Sequence, residues 1–277
     1  MNKLHSIHSI DKRYSTGEEP VLVQCNDQNS YVCKYSRYSG SANKLVCELI
    51  GSVFAKDWQL NTPNIAIVKV LSHHIPSYMG GSYFSKPLLG SQLRHNVIDI
   101  TPSSVEQVPS NEKLLSQLMH IALFDFWIAN EDRNANNSNL MYDYVRQELV
   151  VIDFGCCLNT ATFDFPLSQL TETDSILCSE LFEHVSKDIP RQRILQMSEI
   201  LAHIDFRSYL HDCQNNALVL ECDEGANKDM GIDFIPSAWN INHRRLKTKL
   251  DELFDSCWTD SVLENFKETL NTALSHE

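Results

Sequence analysis

Asp132-Arg-Asn-Ala-Asn-Asn137-Ser-Asn139-Leu-Met-Tyr142, followed after a polar connection by Val150-Val-Ile-Asp153-Phe-Gly155, is the stretch on which the reading of this chain turns. The two apolar runs, Leu140–Tyr142 and Leu149–Ile152, have the length and composition of short paired strands. Ahead of them, four asparagines fall within residues 134–139, and asparagine favours turns and left-handed backbone. Further upstream, Leu114, Leu115, Leu118, Ile121, Ala122, Phe124 and Ile128 recur at helical spacing and predict a helix over about 111–129. The order is therefore a strong helix, an asparagine-rich loop, and a hairpin that ends on an acid next to a glycine.

These parts suit phosphoryl transfer. Asp132 and Asn137 are five residues apart, and Asp153 comes sixteen residues after Asn137 at the end of an apolar strand. One carboxylate can orient an attacking hydroxyl and accept its proton, while an amide oxygen and a second carboxylate hold Mg²⁺ against nucleotide phosphates. Each fragment alone reads equally well as an ordinary turn or strand end. Their combination in this order favours the catalytic reading.

The N-terminal third supplies an independent check. Residues 20–35 read as a hairpin with the turn Asn26-Asp-Gln-Asn-Ser30. A helix over about 42–57 follows, with an apolar stripe of Leu45, Val46, Leu49, Ile50, Val53 and Phe54. Asn61-Thr-Pro63 stops it, and Ile65–Leu71 reads as a strand. Kinases place a strand lysine on the nucleotide phosphates and pair it with a glutamate on the next helix. Lys34 ends an apolar strand, and Glu48 lies in that helix fourteen residues on.

Composition narrows the classes. The chain has 277 residues, with 23 basic and 36 acidic side chains and a net charge of −13. A hydrophobic fraction of 43% excludes global disorder. Such an acidic balance argues against direct nucleic-acid binding and for a basic partner or substrate. No apolar run is long enough for a membrane span, and the start carries no secretory pattern; both point to a cytoplasmic protein. Nine cysteines, with no C-x-x-C pair, read as reduced and packed thiols. The first ten residues, with His5 and His8, read as a loosely ordered, solvated start.

Phe124-Asp-Phe-Trp-Ile-Ala-Asn130-Glu-Asp132-Arg-Asn-Ala-Asn-Asn137, together with Asp153-Phe-Gly155, resembles the catalytic and metal-binding loops of the HipA-like kinases, members of the protein-kinase-like superfamily. Lys34 and Glu48 match that family's lysine–glutamate pair. Tyr14-Ser-Thr-Gly17-Glu-Glu-Pro20 falls where its phosphate-covering loop would be, with Gly17 in place of a full glycine-rich motif. Val68-Lys-Val70 resembles the hinge whose backbone bonds adenine. The resemblance covers about residues 10–160. It implies a bilobal α+β fold, ATP, Mg²⁺, and transfer to a hydroxyl, usually of a protein serine or threonine. Asp132 would be the base, with Asn137 and Asp153 the metal ligands. Asn139 competes with Asn137, although the five-residue spacing favours Asn137. Arg133 fits either neutralisation of transferred phosphate or a structural pair with a nearby carboxylate.

The expected division is a small lobe over about 1–71 and a mainly helical lobe over about 72–277. Residues 72–110 read as a connecting region, further helices are predicted near 176–187, 190–204 and 238–273, and Asp223–Gly231 reads as an exposed loop. Three other readings stay open, and the intact set of Asp132, Asn137 and Asp153 argues against the last two of them. They are a small-molecule phosphotransferase of the aminoglycoside-kinase type, a nucleotide-binding regulatory module, and a structural partner protein.

Overall fold

The hairpin expected over 20–35 forms from β3 (Val21–Gln24) and β4 (Ser30–Lys34), closed by Asp27. That side chain accepts the Asn29 backbone N–H at 3.1 Å and the Tyr31 hydroxyl at 2.8 Å. The structure is a computed structural model and describes residues 2–37, 41–202, 206–220 and 235–275. With β1 (Asn2–His5), β2 (Lys12–Arg13), β5 (Ile65–Lys69) and β6 (Leu88–Gln92), the hairpin builds a six-stranded sheet in the order β1-β5-β6-β4-β3-β2.

Two expectations about this lobe are corrected. Asn2–His5 is a strand, parallel to β5, rather than a loose start. Its side chains are mostly exposed, so no apolar alternation marks it, and backbone pairing at the sheet edge holds it. The boundary expected at residue 71 also moves. β6 inserts between β5 and β4, so the small lobe's sheet continues to Gln92. Gly90 hid this strand: a Cβ there would come within 3.0 Å of the Tyr31 and Val68 side chains. The glycine therefore marks close packing inside the sheet and not a turn.

Helix α1 (Ser41–Asp57) lies against the inner face of the sheet, burying Leu45, Val46, Leu49, Ile50 and Phe54. It ends before Pro63. Gln59 turns left-handed (φ 57°) and the Leu60 N–H bonds the Ala55 carbonyl at 2.8 Å, closing the last turn. The outer face of the sheet buries Val21, Val23, Cys33, Val68 and Val70 under Ile10, Met79 and Phe84.

The large lobe is built on α2 (Glu112–Ile128), the helix expected over 111–129. Asn111 caps it by accepting the Leu114 N–H at 3.0 Å, and Ala129 ends it in a left-handed turn (φ 50°). Its apolar residues are buried all round, as befits a central helix. β7 (Val97–Asp99), β8 (Leu140–Asp143) and β9 (Glu148–Val151) form a second sheet beside it. Beyond come α3 (Glu180–Ser186), α4 (Arg191–Ile200), α5 (Phe206–Leu220), α6 (His243–Leu253) and α7 (Ser256–Ala273). The single helix expected over 238–273 is broken at Phe254–Asp255, where Asp255 caps α7 through the Cys257 N–H at 2.8 Å. The sequence reading missed α5, which packs on α1: Tyr209 stacks on Trp58 at 5.3 Å, and Asn216 bonds Asp57. The expected loop at 223–231 lies outside the described residues. Among those described, no helix is long and apolar enough to cross a membrane.

Candidate active site

Lys34 is the last residue of β4, and pleating points it to the inner face, opposite the buried Cys33. Its Nζ lies 2.8 Å from Glu48 Oε2 and 2.6 Å from Asp153 Oδ1. Glu48, on α1 and 3% exposed, also accepts the Phe154 N–H at 2.9 Å, tying the helix to the strand end at Asp153. Burial alone would lower the Lys34 pKa, but the charges of Glu48, Asp153 and Glu18 outweigh it and drive it up. Burial likewise pushes Asp153 upward, yet the Lys34 ammonium beside it holds the carboxyl below its ordinary value. Glu48 goes the other way: burial raises it and Lys34 offsets only part. Asp153 itself has a left-handed backbone (φ 61°), which aspartate tolerates better than most residues. The Gly155 N–H bonds its Oδ1 at 3.3 Å.

The asparagine-rich loop faces this cluster. Asn139, also left-handed (φ 46°), donates from Nδ2 to Asp132 Oδ2 at 3.2 Å and to the Asp132 carbonyl at 3.3 Å. Its own carbonyl accepts the Ile152 N–H at 3.2 Å, placing it beside the strand that leads into Asp153. Asn137 sits differently. It is exposed, pairs backbone-to-backbone with Asn134, and lines a separate small cavity of about 110 Å³ with Ile100, Val105 and Leu181. The five-residue spacing counted the loop's outer hairpin, Asn134–Asn137, as part of the turn.

Arg133 is completely buried and pairs with Asp125 of α2 at 2.9 Å. Its guanidinium also bonds the carbonyls of Ser138, Asn139 and Ile152. Of its two readings, the structural pair is the one found: the guanidinium is completely buried, and its Nη2 lies 3.5 Å from the Asp153 carbonyl. Asp125, which sequence reasoning passed over inside an apolar helix, is the anchor: it also accepts Asn130 Nδ2 at 2.8 Å. A lone acid amid seven buried apolar neighbours was the available signal.

Val68 and Val70 do not reach the site, which corrects the hinge expectation. Both side chains belong to the outer core, and β5 is paired with β1 on one side and β6 on the other. The β5 backbone is occupied in the ladder from Ile65 to Lys69, and Val70 follows its end. The inner sheet face beside Lys34 is formed instead by half-buried Leu22 and Val32, with Ser91 of β6 paired to Val32. Gly17 lies in the β2–β3 loop above the cluster, where Glu18 Oε2 comes 3.9 Å from Lys34 Nζ and Glu18 Oε1 3.3 Å from Lys44 Nζ. Cys156 is half-buried, and its thiol is pushed up to about 11 by burial and by the nearby Asp132 carboxylate.

A divalent cation fits the donors present. Asp153 Oδ2 and Asn139 Oδ1 have no hydrogen-bond partner among the described residues, and both are the hard oxygens Mg²⁺ takes. No three His, Cys, Asp or Glu side chains there converge on one point. The site thus suits an ion bound by one or two side chains together with ligand phosphates.

The HipA-like kinase family matches residues 7–205 of the chain. Among solved structures, the Helicobacter pylori proinflammatory kinase CtkA aligns over 99% of this chain and 99% of its own, with a TM-score of 0.50 and 11% identity. That likeness shows the fold, a kinase fold with a sheet lobe and a helical lobe. No curated protein sequence matches. The family match runs through both lobes and the loops just described, and the chain belongs to the HipA-like kinase family.

Proposed function

We propose that this kinase uses ATP and Mg²⁺ and passes the γ-phosphoryl group to a hydroxyl, that of a serine or threonine on a protein. The observation that carries the reading is the placement of Lys34 between Glu48 and Asp153, opposite a loop that holds Asp132 against Asn139. Phosphoryl transfer asks little covalent chemistry of a protein; it asks for positioned charge and a group to orient the hydroxyl.

Each residue then has a task. Leu22 and Val32 offer an apolar face to the adenine, and the backbone leaving β6 at Leu93–Asn96 offers its polar edge. Lys34, fixed by Glu48, meets the α- and β-phosphates. Asp153 and Asn139 would hold Mg²⁺, which when bound neutralises charge on the phosphates. Asp132 receives the hydroxyl proton as the new oxygen–phosphorus bond forms and the bond to departing ADP breaks. The Asn139 amide keeps that carboxylate aimed.

Incubation with γ-labelled ATP, with and without Mg²⁺, tests this, followed by mass spectrometry of the protein and of a cell lysate. Metal-dependent label on serine or threonine is expected. Label only on small hydroxyl acceptors would move the reading to a small-molecule phosphotransferase. ATP binding with no transfer to any acceptor would leave a regulatory module.

A further inference from the structure

The β2–β3 loop carries two adjacent glutamates that face opposite ways. Glu19 pairs outward with Arg13 and Arg37, and with the Glu19 N–H bonded to the Thr16 carbonyl at 2.9 Å it fixes the turn. Glu18 is thereby aimed into the cleft, its two oxygens set toward two ammonium groups, Lys44 at 3.3 Å and Lys34 at 3.9 Å. Lys44 lies four residues before Glu48, so the two share one face of α1. Among the described residues, Glu18 is the ion-pair partner of Lys44. The cluster already holds Glu48 and Asp153 on Lys34. A third carboxylate in a loop that would cover phosphates repels a nucleotide unless it gives up its place.

We propose that Lys44 is a second phosphate-binding cation beside Lys34, and that Glu18 occupies the phosphate position in the nucleotide-free protein. Nucleotide entry then exchanges one anion for another: the carboxylate swings out with its loop, and phosphate oxygens take over both lysines. Charge-assisted contacts of this kind are made equally well by carboxylate and phosphate. The Glu18 pairs are partly exposed and correspondingly weak, which lets the exchange occur. The proposal rests on the nucleotide-binding part of the function argued above.

Calorimetric titration of the full chain with ATP and with adenosine, at fixed Mg²⁺, tests it. Glu18→Gln should tighten ATP binding about two- to fivefold, the range expected for release of exposed ion pairs. Lys44→Met should weaken ATP about tenfold or more, through loss of a charged contact, and leave adenosine unchanged. Lys44→Arg should restore ATP affinity, and the Glu18→Gln gain should shrink in the Lys44→Met background, where only the Lys34 contact is left for Glu18 to block. Equal or weaker ATP binding by Glu18→Gln overturns the exchange. An equal loss for ATP and adenosine, or no loss, overturns the role of Lys44. A wild-type chain that binds neither ligand removes the nucleotide reading itself, an outcome separate from either.

Discussion

Arg133 Nε lies 2.9 Å from Asp125 Oδ2, with both side chains shut off from solvent. The pair locks the loop bearing Asp132 to the central helix, and through the Ile152 carbonyl it locks the strand leading to Asp153 as well. The residue next to the candidate base therefore serves to hold the site's two loops in register.

Asp125 gives this arrangement a pH signature. Burial pushes its carboxyl from 3.8 up to about 6, with Arg133 and Asn130 limiting the rise. A carboxyl that binds its proton more tightly when folded contributes stability that is complete below its unfolded pKa, 3.8, and is lost as pH rises through about 6. Between pH 7 and pH 4, wild type should gain on Asp125→Asn by up to about 3 kcal/mol in denaturant-derived stability. Parallel pH curves for the two proteins would show that Asp125 does not titrate there.

Gly51 is the second test. A Cβ at this position would fall 2.3 Å from Phe154 Cβ and 2.6 Å from its Cγ. Alanine in a helix normally stabilises by about 0.5–1 kcal/mol relative to glycine. Here Gly51→Ala should destabilise by about 1–3 kcal/mol through overpacking, and should lower transfer by displacing the residue beside Asp153. A variant that melts higher than wild type with full turnover would disprove the packing argument.

Asp132 and Lys34 should fail differently. Asp132→Ala is expected to cut transfer about 10²–10⁴-fold with ATP affinity nearly unchanged, as for loss of a general base. Lys34→Ala should lose ATP affinity and melt lower, because Glu48 is left buried without its cation. Melting, ATP affinity and transfer measured on one preparation separate the two. If Asp132→Ala transfers at the wild-type rate, the base lies elsewhere.

The two asparagines can be ranked directly. Asn139→Ala should raise the Mg²⁺ concentration needed for half-maximal transfer by about tenfold or more, as expected when a ligand or its orienting partner is removed. Asn137→Ala, on the exposed hairpin, should change it by about twofold at most. The reverse ranking would restore the reading by spacing.

Local pattern determined a good part of this protein. The apolar periods of α1 and α2, the strand runs around Lys34 and Asp153, and the polar loop between helix and hairpin all follow from side-chain spacing, because burying one face of a helix or strand demands it. The lysine–glutamate–aspartate cluster was legible for the same reason: Lys34 ends a strand, Asp153 follows one, and Glu48 sits mid-helix on α1, a helix whose apolar stripe sets which face meets the sheet. Tertiary structure decided what depends on partners distant in sequence. β6 exists because Gly90 fits beneath Tyr31 and Val68, and the edge strand Asn2–His5 exists because β5 offers its backbone. Val68 turned outward because sheet order, not composition, assigns faces. The choice of Asn139 over Asn137 beside Asp132, and of Asp125 as the partner of Arg133, rests on loops folding back across gaps that no periodicity spans.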